Sequence, residues 1–206
     1  MKIMVALLIA IIGTSSCKKG KAEVTLKGII SDTSFGLPLS NATIVIHQIE
    51  SGISDELIGQ TTTNVNGEYS FLFDRDQTES YLITSSKSNY YDLNESISFS
   101  DITIENDNIY NFSTSAQSWV ELNFINTAGQ ASDALKYIKQ EGRSGCNNCC
   151  PDTQQSLNGI IDTTVIYAND GNAVFSYQYF VVGTSNQGLK SITTVAFDTT
   201  TINLVY

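Results

Sequence analysis

Apolar and polar residues alternate along most of this chain, and this period of two constrains its fold more than any other feature. The segment 24–30 (VTLKGII) alternates in this way, and 68–73 (EYSFLF) places three aromatic side chains on one face. β-Branched and aromatic residues in such runs favour strands. Two prolines occur, and the best candidate for a 3.6-residue period after the N-terminus is the short segment 131–140. We therefore predict an all-β fold.

Turn signals divide the first half into short strands. The stretch 32–38 (DTSFGLP) reads as a turn, and Asn66-Gly67 is a strong hairpin signal because both residues tolerate positive φ. The expected strands are 24–30, 42–47, 57–63, 68–73, 80–85, 96–104 and 109–112. Short strands at this spacing are typical of an immunoglobulin-like β-sandwich.

The second half repeats this pattern after a boundary that we place near 113–117. Its expected strands are 118–125, 163–167, 173–182, 192–197 and 200–206. The stretches TTTNVNGEYSF and TTVIYANDGNAVFSY share a Thr-rich strand, an Asx-Gly turn and an aromatic strand. We predict a second, more diverged sandwich over 118–206 with a cysteine-containing loop at 143–156. One elongated two-part unit is the alternative.

The turn motifs of the first half also carry a family resemblance. Gly28 and Asp32 are followed by GLPLSNATI over 36–44 and by TTNVNGEYSF over 62–71. This order resembles the carboxypeptidase regulatory-like, transthyretin-like β-sandwich family, over about residues 23–113. The resemblance implies a sandwich fold and an envelope setting, since such domains accompany peptidases, transporters and surface proteins without doing chemistry. It implies no catalytic residue, because fold and function are separable.

The first 20 residues have the layout of an export signal. Lys2 precedes an apolar run at 5–12, and small residues at 13–16 lead to Cys17. This is the three-part pattern of a secretory signal peptide, and the run is well short of the roughly 20 residues of a membrane-spanning helix. Thr14-Ser15-Ser16-Cys17 resembles the relaxed lipobox of Bacteroidetes lipoproteins, with Thr14 in place of the usual aliphatic residue. A plain signal peptide with an incidental cysteine is the alternative.

The lipobox resemblance implies that residues 1–16 are removed and that Cys17 carries a diacylglycerol and an N-acyl chain. Several acyl chains on one residue anchor a protein stably. Residues 17–22 then form a tether, and the lipid bilayer is a partner through acylated Cys17. We expect an outer-membrane location in the cell envelope, with the periplasmic and surface faces both open.

Composition and motif content exclude several functions. The net charge of −10, with 11 basic residues, argues against a nucleic-acid partner, which needs clustered positive charge. A Ser-His-Asp triad would need the single histidine, His47, which we expect at a strand end on the surface. The carboxylates of 101–107, Asp162 and Asp170 lie in turn-rich sequence without EF-hand spacing. We expect no catalytic residue, no cofactor and no metal ligand, and hence no enzyme.

Three cysteines, Cys146, Cys149 and Cys150, lie within five residues (GCNNCC). A structural zinc site needs four ligands, and a thioredoxin-like centre needs a helix N-terminus in a βαβ unit. An exported chain enters an oxidising compartment, so a disulfide fits better. A bridge between the adjacent pair would strain the peptide, so Cys146 pairs with Cys149 or with Cys150. We expect the third thiol to be buried, with an intermolecular bridge as the alternative.

Several aromatic and threonine residues are candidates for contacts with partners or for modification. Trp119 and the pair Tyr90-Tyr91 can line a sugar or peptide surface, or pack in the core or at a domain junction. The stretches 162–164 and 198–200 (both DTT) resemble the D-[ST]-[AILMTV] sites where Bacteroidetes attach O-glycans, which implies attachment at Thr163 and Thr199.

We expect an envelope lipoprotein that serves as a non-catalytic binding or structural module, with an envelope protein or a glycan as its partner. One alternative is an enzyme or enzyme accessory with a site between the two sandwiches. Another is an adhesin-like partner of an outer-membrane β-barrel transporter.

Overall fold

The computed structural model describes residues 22–206 except 51, 53, 54 and 128. The predicted signal peptide and Cys17 lie outside these residues. The described part contains 16 strands, one 3-10 turn at Phe99–Asp101, and no α-helix. The strands are β1 (Glu23–Asp32), β2 (Leu37–Pro38), β3 (Thr43–Ile49), β4 (Glu56–Thr62), β5 (Glu68–Asp74), β6 (Ser80–Ser86), β7 (Leu93–Ser98), β8 (Asn108–Ile109), β9 (Phe112–Thr114), β10 (Gln117–Ile125), β11 (Ala134–Glu141), β12 (Gln155–Asn158), β13 (Asp162–Asp170), β14 (Val174–Val181), β15 (Gln187–Thr193) and β16 (Thr199–Val205). The all-β prediction is confirmed, and the described part has no helix of the length and apolarity needed to cross a membrane.

The first sandwich encloses one core between two sheets. In one sheet β1 pairs antiparallel with β2 and β5 and parallel with β8 and β9. The other sheet has the order β4-β3-β6-β7. Alternate residues of each strand face the partner sheet, so the aromatic row Tyr69, Phe71 and Phe73 is buried against Ile44, Ile46 and other core residues, as predicted.

The second sandwich repeats the main topology of the first, without a counterpart of β2 and with one strand, β16, in the place of β8 and β9. Its sheets have the orders β13-β10-β16 and β12-β11-β14-β15. Its first strand, β10, pairs antiparallel with β13 and parallel with the last strand, β16, as β1 does with β5 and with β8 and β9. The core includes Phe124, Tyr137, Phe175 and Tyr177. The two halves therefore share one fold around two separate cores.

The two Asx-Gly turns do not join paired strands. The turn at Asn66-Gly67 connects β4 to β5, which belong to different sheets, so the hairpin prediction is wrong. The turn after Asp170 likewise connects β13 to β14 across the second sandwich. Its counterpart in the first half is the β5–β6 connection, so the two similar stretches of sequence are not equivalent. Turn chemistry sets where the chain reverses, whereas the burial of apolar faces sets which strands pair.

Three further predicted elements differ from the structure. The expected strand 96–104 ends at Ser98, because the guanidinium of Arg75 donates to the carbonyls of Phe99 (3.1 Å) and Ile102 (3.0 Å) and holds a 3-10 turn there. The expected strand 192–197 ends at Thr193 and is followed by a turn. The segment with weak helical periodicity, 131–140, contains most of β11.

Candidate functional site

Residues of the types that support catalysis or metal binding are dispersed. The described residues contain no group of three or more His, Cys, Asp or Glu side chains that could hold a metal ion. His47 is half-buried within β3, which continues to Ile49, so the predicted strand-end position is wrong. Asp107 pairs with Lys27 in the first sandwich, whereas Asp170 pairs with Arg143 in the second. The carboxylates therefore do not converge.

The cysteine loop contains one disulfide and one buried thiol. Cys146 and Cys149 are bonded, with their Cα atoms 5.2 Å apart, which settles the pairing that the sequence left open. Cys150 is a free thiol with 1% of its surface exposed. Burial raises the pKa of this thiol to about 11. Because the thiolate is the reactive form, Cys150 acts as a small core residue rather than as a nucleophile.

The buried ammonium of Lys139 fixes this loop to β11. Its Nζ donates to the carbonyl of Arg143 (2.8 Å) and to Ser144 Oγ (2.7 Å), and it forms an ion pair with Asp152 (2.7 Å). Hydrogen bonds from Lys139 and Ser144 lower the pKa of the Asp152 carboxyl. All three ammonium protons are used, so Lys139 has a structural role.

The disulfide loop also covers the end of a sheet edge. The N–H of Ala168 in β13 donates to the carbonyl of Asn148 (2.8 Å), and Cys149 forms an isolated parallel bridge with Ala168. An uncovered edge strand presents unpaired backbone groups that promote association. The loop predicted at 143–156 ends earlier than expected, since β12 begins at Gln155. Its disulfide-bonded part lies against the edge of β13 in the second sandwich.

Polar groups join the two sandwiches around Arg143. Its guanidinium lies 3.4 Å from the ring centre of Tyr91 and 2.5 Å from the carboxylate of Asp170. Asp170 also accepts a hydrogen bond from the hydroxyl of Ser115. The hydroxyl of Tyr91 donates to the carbonyl of Asn169 (2.9 Å). A cation between an aromatic face and a carboxylate is a favourable arrangement at a partly buried site.

Aromatic rings form the other side of this junction. Phe197 of the second sandwich stacks on Phe35 at 6.0 Å and meets Tyr90 edge-on at 5.5 Å. The hydroxyl of Tyr90 donates to Asp32 (2.8 Å), and burial together with this bond raises the pKa of Tyr90 to about 12. Tyr90 and Tyr91 therefore pack at the domain junction, one of the two roles that the sequence suggested.

The backbone closes the remaining space at the junction. Ser115 accepts from the N–H of Tyr91 (3.1 Å), and the N–H of Gln117 donates to the carbonyl of Asn89 (2.8 Å). A Cβ at Gly171 would lie 2.7 Å from the Cβ of Ala196, so this glycine allows close packing inside the second sandwich next to the junction. The two sandwiches are thus in direct contact here.

A depression on the outer face of the first sandwich is a separate candidate site. It has a volume of about 630 Å³, open to solvent, within the range of small-molecule sites. Its floor is formed by β1 and β5, and its walls by residues 109–111 on one side and 61–64 on the other. The lining residues are Lys27, Gly28, Ile29, Thr61, Thr62, Asn64, Glu68, Tyr69, Ser70, Ile109 and Asn111.

The other sequence candidates lie apart from both features. Trp119 is half-buried on the outer face of β10, directly beside Thr199 of β16 in the strand register. Thr199 is exposed, whereas Thr163 of β13 is half-buried. Neither threonine lines the depression or the junction contacts described above.

Sequence reasoning identified Tyr90 and Tyr91 as candidates for a domain junction but missed the residues that contact them there. Arg143 and Phe197 gave no signal, because each lies in a turn or loop whose partners are distant in sequence. Gly28, in contrast, could have been recognised from the sequence, because a glycine inside a strand often marks a site where another backbone segment approaches closely. A Cβ at this position would lie 1.7 Å from the carbonyl oxygen of Tyr110.

Comparison with family models and with curated proteins finds no match. Among solved structures, the shaft pilin SpaA of Lactobacillus rhamnosus GG is 8% identical, with 90% of this chain and 98% of that chain covered and a TM-score of 0.35. The minor pilin GBS52 of Streptococcus agalactiae is 10% identical, with 88% and 94% covered and a TM-score of 0.34.

The 3-chlorocatechol 1,2-dioxygenase of Rhodococcus opacus 1CP is 13% identical, with a TM-score of 0.37. The match covers 48% of this chain and 61% of the dioxygenase, so the chain spans less than two thirds of that enzyme. At identities and TM-scores this low, no activity or partner is transferred from any of these proteins. The chain is an all-β protein built of sandwiches.

Proposed function

We propose that this protein is an envelope lipoprotein, anchored through acylated Cys17, that serves as a non-catalytic binding or structural module. The observation that carries the proposal is the closed junction, in which Arg143, Tyr91 and Asp170 join the two sandwiches. Such a junction suits a stiff body that holds a surface at a fixed distance from its anchor. It does not suit an enzyme whose site lies between the domains.

We further propose that the first sandwich belongs with carboxypeptidase regulatory-like domains, because its motif residues form one corner of the fold. The buried hydroxyl of Thr63 donates to the carbonyl of Leu39 (2.6 Å) and accepts from the N–H of Ala42 (2.9 Å). Gly67 has a φ of +72°, and its carbonyl accepts from the N–H of Ile30 (2.9 Å). These roles are structural, which supports a motif that specifies a fold rather than chemistry.

The distance between the anchor and the folded body also suits this role. The first strand begins at Glu23, six residues after Cys17. An extended chain spans at most about 3.3–3.6 Å per residue, so the first sandwich would lie within roughly 20 Å of the membrane surface. A partner bound by this protein would therefore be held close to the bilayer.

Intact-mass analysis of the membrane fraction tests the anchor. The expected product starts at Cys17 and carries the mass of a diacylglycerol and an acyl chain. A Cys17→Ser variant should lose the lipid mass and leave the membrane fraction, whereas a Cys150→Ser variant should keep both. An unacylated chain that still carries Met1, or one cut at another position, would refute the proposal.

A further inference from the structure

We infer that the depression on the first sandwich is a binding site for neutral oligosaccharides. This inference gives a ligand class to the binding module proposed above. The depression exists because Gly28 lets the backbone of residue 110 approach β1, with the N–H of Tyr110 donating to the carbonyl of Lys27 (2.8 Å). That approach sets the wall containing Ile109 and Asn111 beside the floor, where the short side chain of Ser70 leaves space.

Polar groups on opposite walls are oriented before any ligand arrives. On one wall Asn111 Oδ1 accepts from the backbone N–H of Ile29 (2.9 Å), which leaves the Nδ2 donors available to the depression. On the other wall Asn64 Nδ2 donates to Glu68 Oε2 (2.8 Å), which leaves Oε1 of Glu68 as an acceptor. Pre-oriented groups lose little conformational freedom on binding, so they favour recognition of a polar ligand.

The charges in the depression disfavour an anionic ligand. The ammonium of Lys27 is already paired with Asp107 at 2.5 Å. The carboxylate of Glu68 lies in the same depression, and the whole chain has a net charge of −10. An anionic ligand would compete with Asp107 and meet Glu68, so charge complementarity is poor for phosphates and acidic sugars.

A sugar ring matches the remaining lining. Ile29 and Ile109 are 39% and 62% exposed and offer aliphatic surface to the C–H face of a ring. The hydroxyls of Thr61, Thr62 and Ser70 can donate and accept, as sugar hydroxyls do. β1 is paired on both sides, whereas β5 is paired on one side only. An extended peptide would therefore have to pair with the free edge of β5, and the peptide library in the binding screen tests that alternative.

The test is a binding screen with the full-length protein purified in detergent. Neutral cello-, malto-, manno- and xylo-oligosaccharides are compared with oligogalacturonate and with a peptide library. Titration calorimetry should show binding of at least one neutral series. Sugar binding measured in this way does not depend on acylation of Cys17. The binding result can therefore be interpreted even if the proposed lipid anchor is wrong.

Variants then locate the binding. Ser70→Arg places a large side chain in the depression and should weaken binding about tenfold or more. Ser96→Arg, at an exposed position of β7 in the other sheet, is the matched control and should bind normally. Asn111→Asp keeps an oxygen for the N–H of Ile29 but loses the Nδ2 donors, and should weaken binding about fivefold.

Three results would overturn the inference. The first is that no neutral oligosaccharide binds. The second is that the Ser70→Arg and Ser96→Arg variants bind the oligosaccharide equally well. The third is that oligogalacturonate or a peptide binds and neutral sugars do not. Unfolding midpoints of all variants are measured alongside, so that a misfolded variant is not taken for a loss of contact. If Ser70→Arg does not fold, the affinity of the Asn111→Asp variant still tests whether the ligand binds in the depression.

Discussion

The turn that carries Phe197 predicts an unusual order of stabilities. The N–H of Asp198 donates to the carbonyl of Val195 (3.2 Å), and Phe197 within this turn has a φ of +67°. Glycine or asparagine is usual at such a position. A bulky residue there costs about 1–2 kcal/mol. The strain persists because the ring packs against the first sandwich, so the junction and the strain are coupled.

Two substitutions separate the ring from the backbone. The ring of Phe197 is 44% exposed, so truncation removes about half of the ~1.5–3 kcal/mol of a buried aromatic side chain, along with ring contacts of ~0.5–1.5 kcal/mol each. Phe197→Ala should therefore cost about 2–4 kcal/mol and keep the strain. Phe197→Gly loses the same contacts but relieves the strain, and should cost about 1 kcal/mol less than Phe197→Ala.

Urea unfolding of the whole chain, followed by circular dichroism, measures both free energies. A difference of about 1 kcal/mol shifts the thermal midpoint by roughly 2–4 °C in a protein of this size. Val195 in the same turn has no positive φ, so at that control position Gly should be less stable than Ala. The reasoning is refuted if Phe197→Gly is as unstable as Phe197→Ala, or less stable.

Three other outcomes are expected. Gly28→Ala should lower the free energy of unfolding by at least about 2 kcal/mol in urea titration, because the new Cβ would lie 1.7 Å from a backbone oxygen. Replacing Cys146 and Cys149 together by Ser should cost about 2 kcal/mol or less, and hydrogen exchange should quicken at the Ala168 amide, which bonds to the disulfide loop. Tyr90 should make stability fall at high pH, because its pKa rises from 10.0 to about 12 on folding. The contribution of Tyr90 to stability is complete below pH 10 and is lost as the pH rises toward 12, so the stability gap between the wild type and Tyr90→Phe should narrow between pH 10 and pH 12.

Each of these outcomes has a control. Gly59→Ala should be nearly neutral, because its Cβ would lie 3.5 Å from Phe71, an ordinary contact. A comparable loss in both glycine variants would contradict the close-approach argument. Exchange that quickens throughout β10 as well as at Ala168 would show that the disulfide holds the whole sandwich. A stability gap that stays constant from pH 10 to pH 12 would show that burial and the hydrogen bond to Asp32 do not raise the pKa of Tyr90.

Much of the fold could be predicted from periodicity. Tyr69, Phe71 and Phe73 are buried on one face, and Phe175 and Tyr177 fill the second core, as their spacing indicates. Strand pairing could not be predicted in the same way. Asn66-Gly67 specifies a reversal of the chain, but whether the two arms pair depends on which apolar faces must meet across the sandwich. That is a property of the whole domain and not of the turn.

The candidate sites were less accessible to sequence reasoning. The three cysteines restricted the pairing to two possibilities, and only the positions of the Cα atoms distinguish Cys149 from Cys150. Arg143 and Asp170 are 27 residues apart, and Tyr91 lies in the other sandwich. Contacts of this kind arise from folding, so no local pattern marks them.

The sequence alone determined that this chain forms strands, because alternating apolar residues can be buried only on one face of a sheet. It also determined where the chain turns, through Gly and Asn residues that accept positive φ. The tertiary structure decided that two sandwiches of one topology meet in a closed junction and that a depression opens on the first. Both features depend on side chains distant in sequence that become neighbours only when apolar surfaces leave water together.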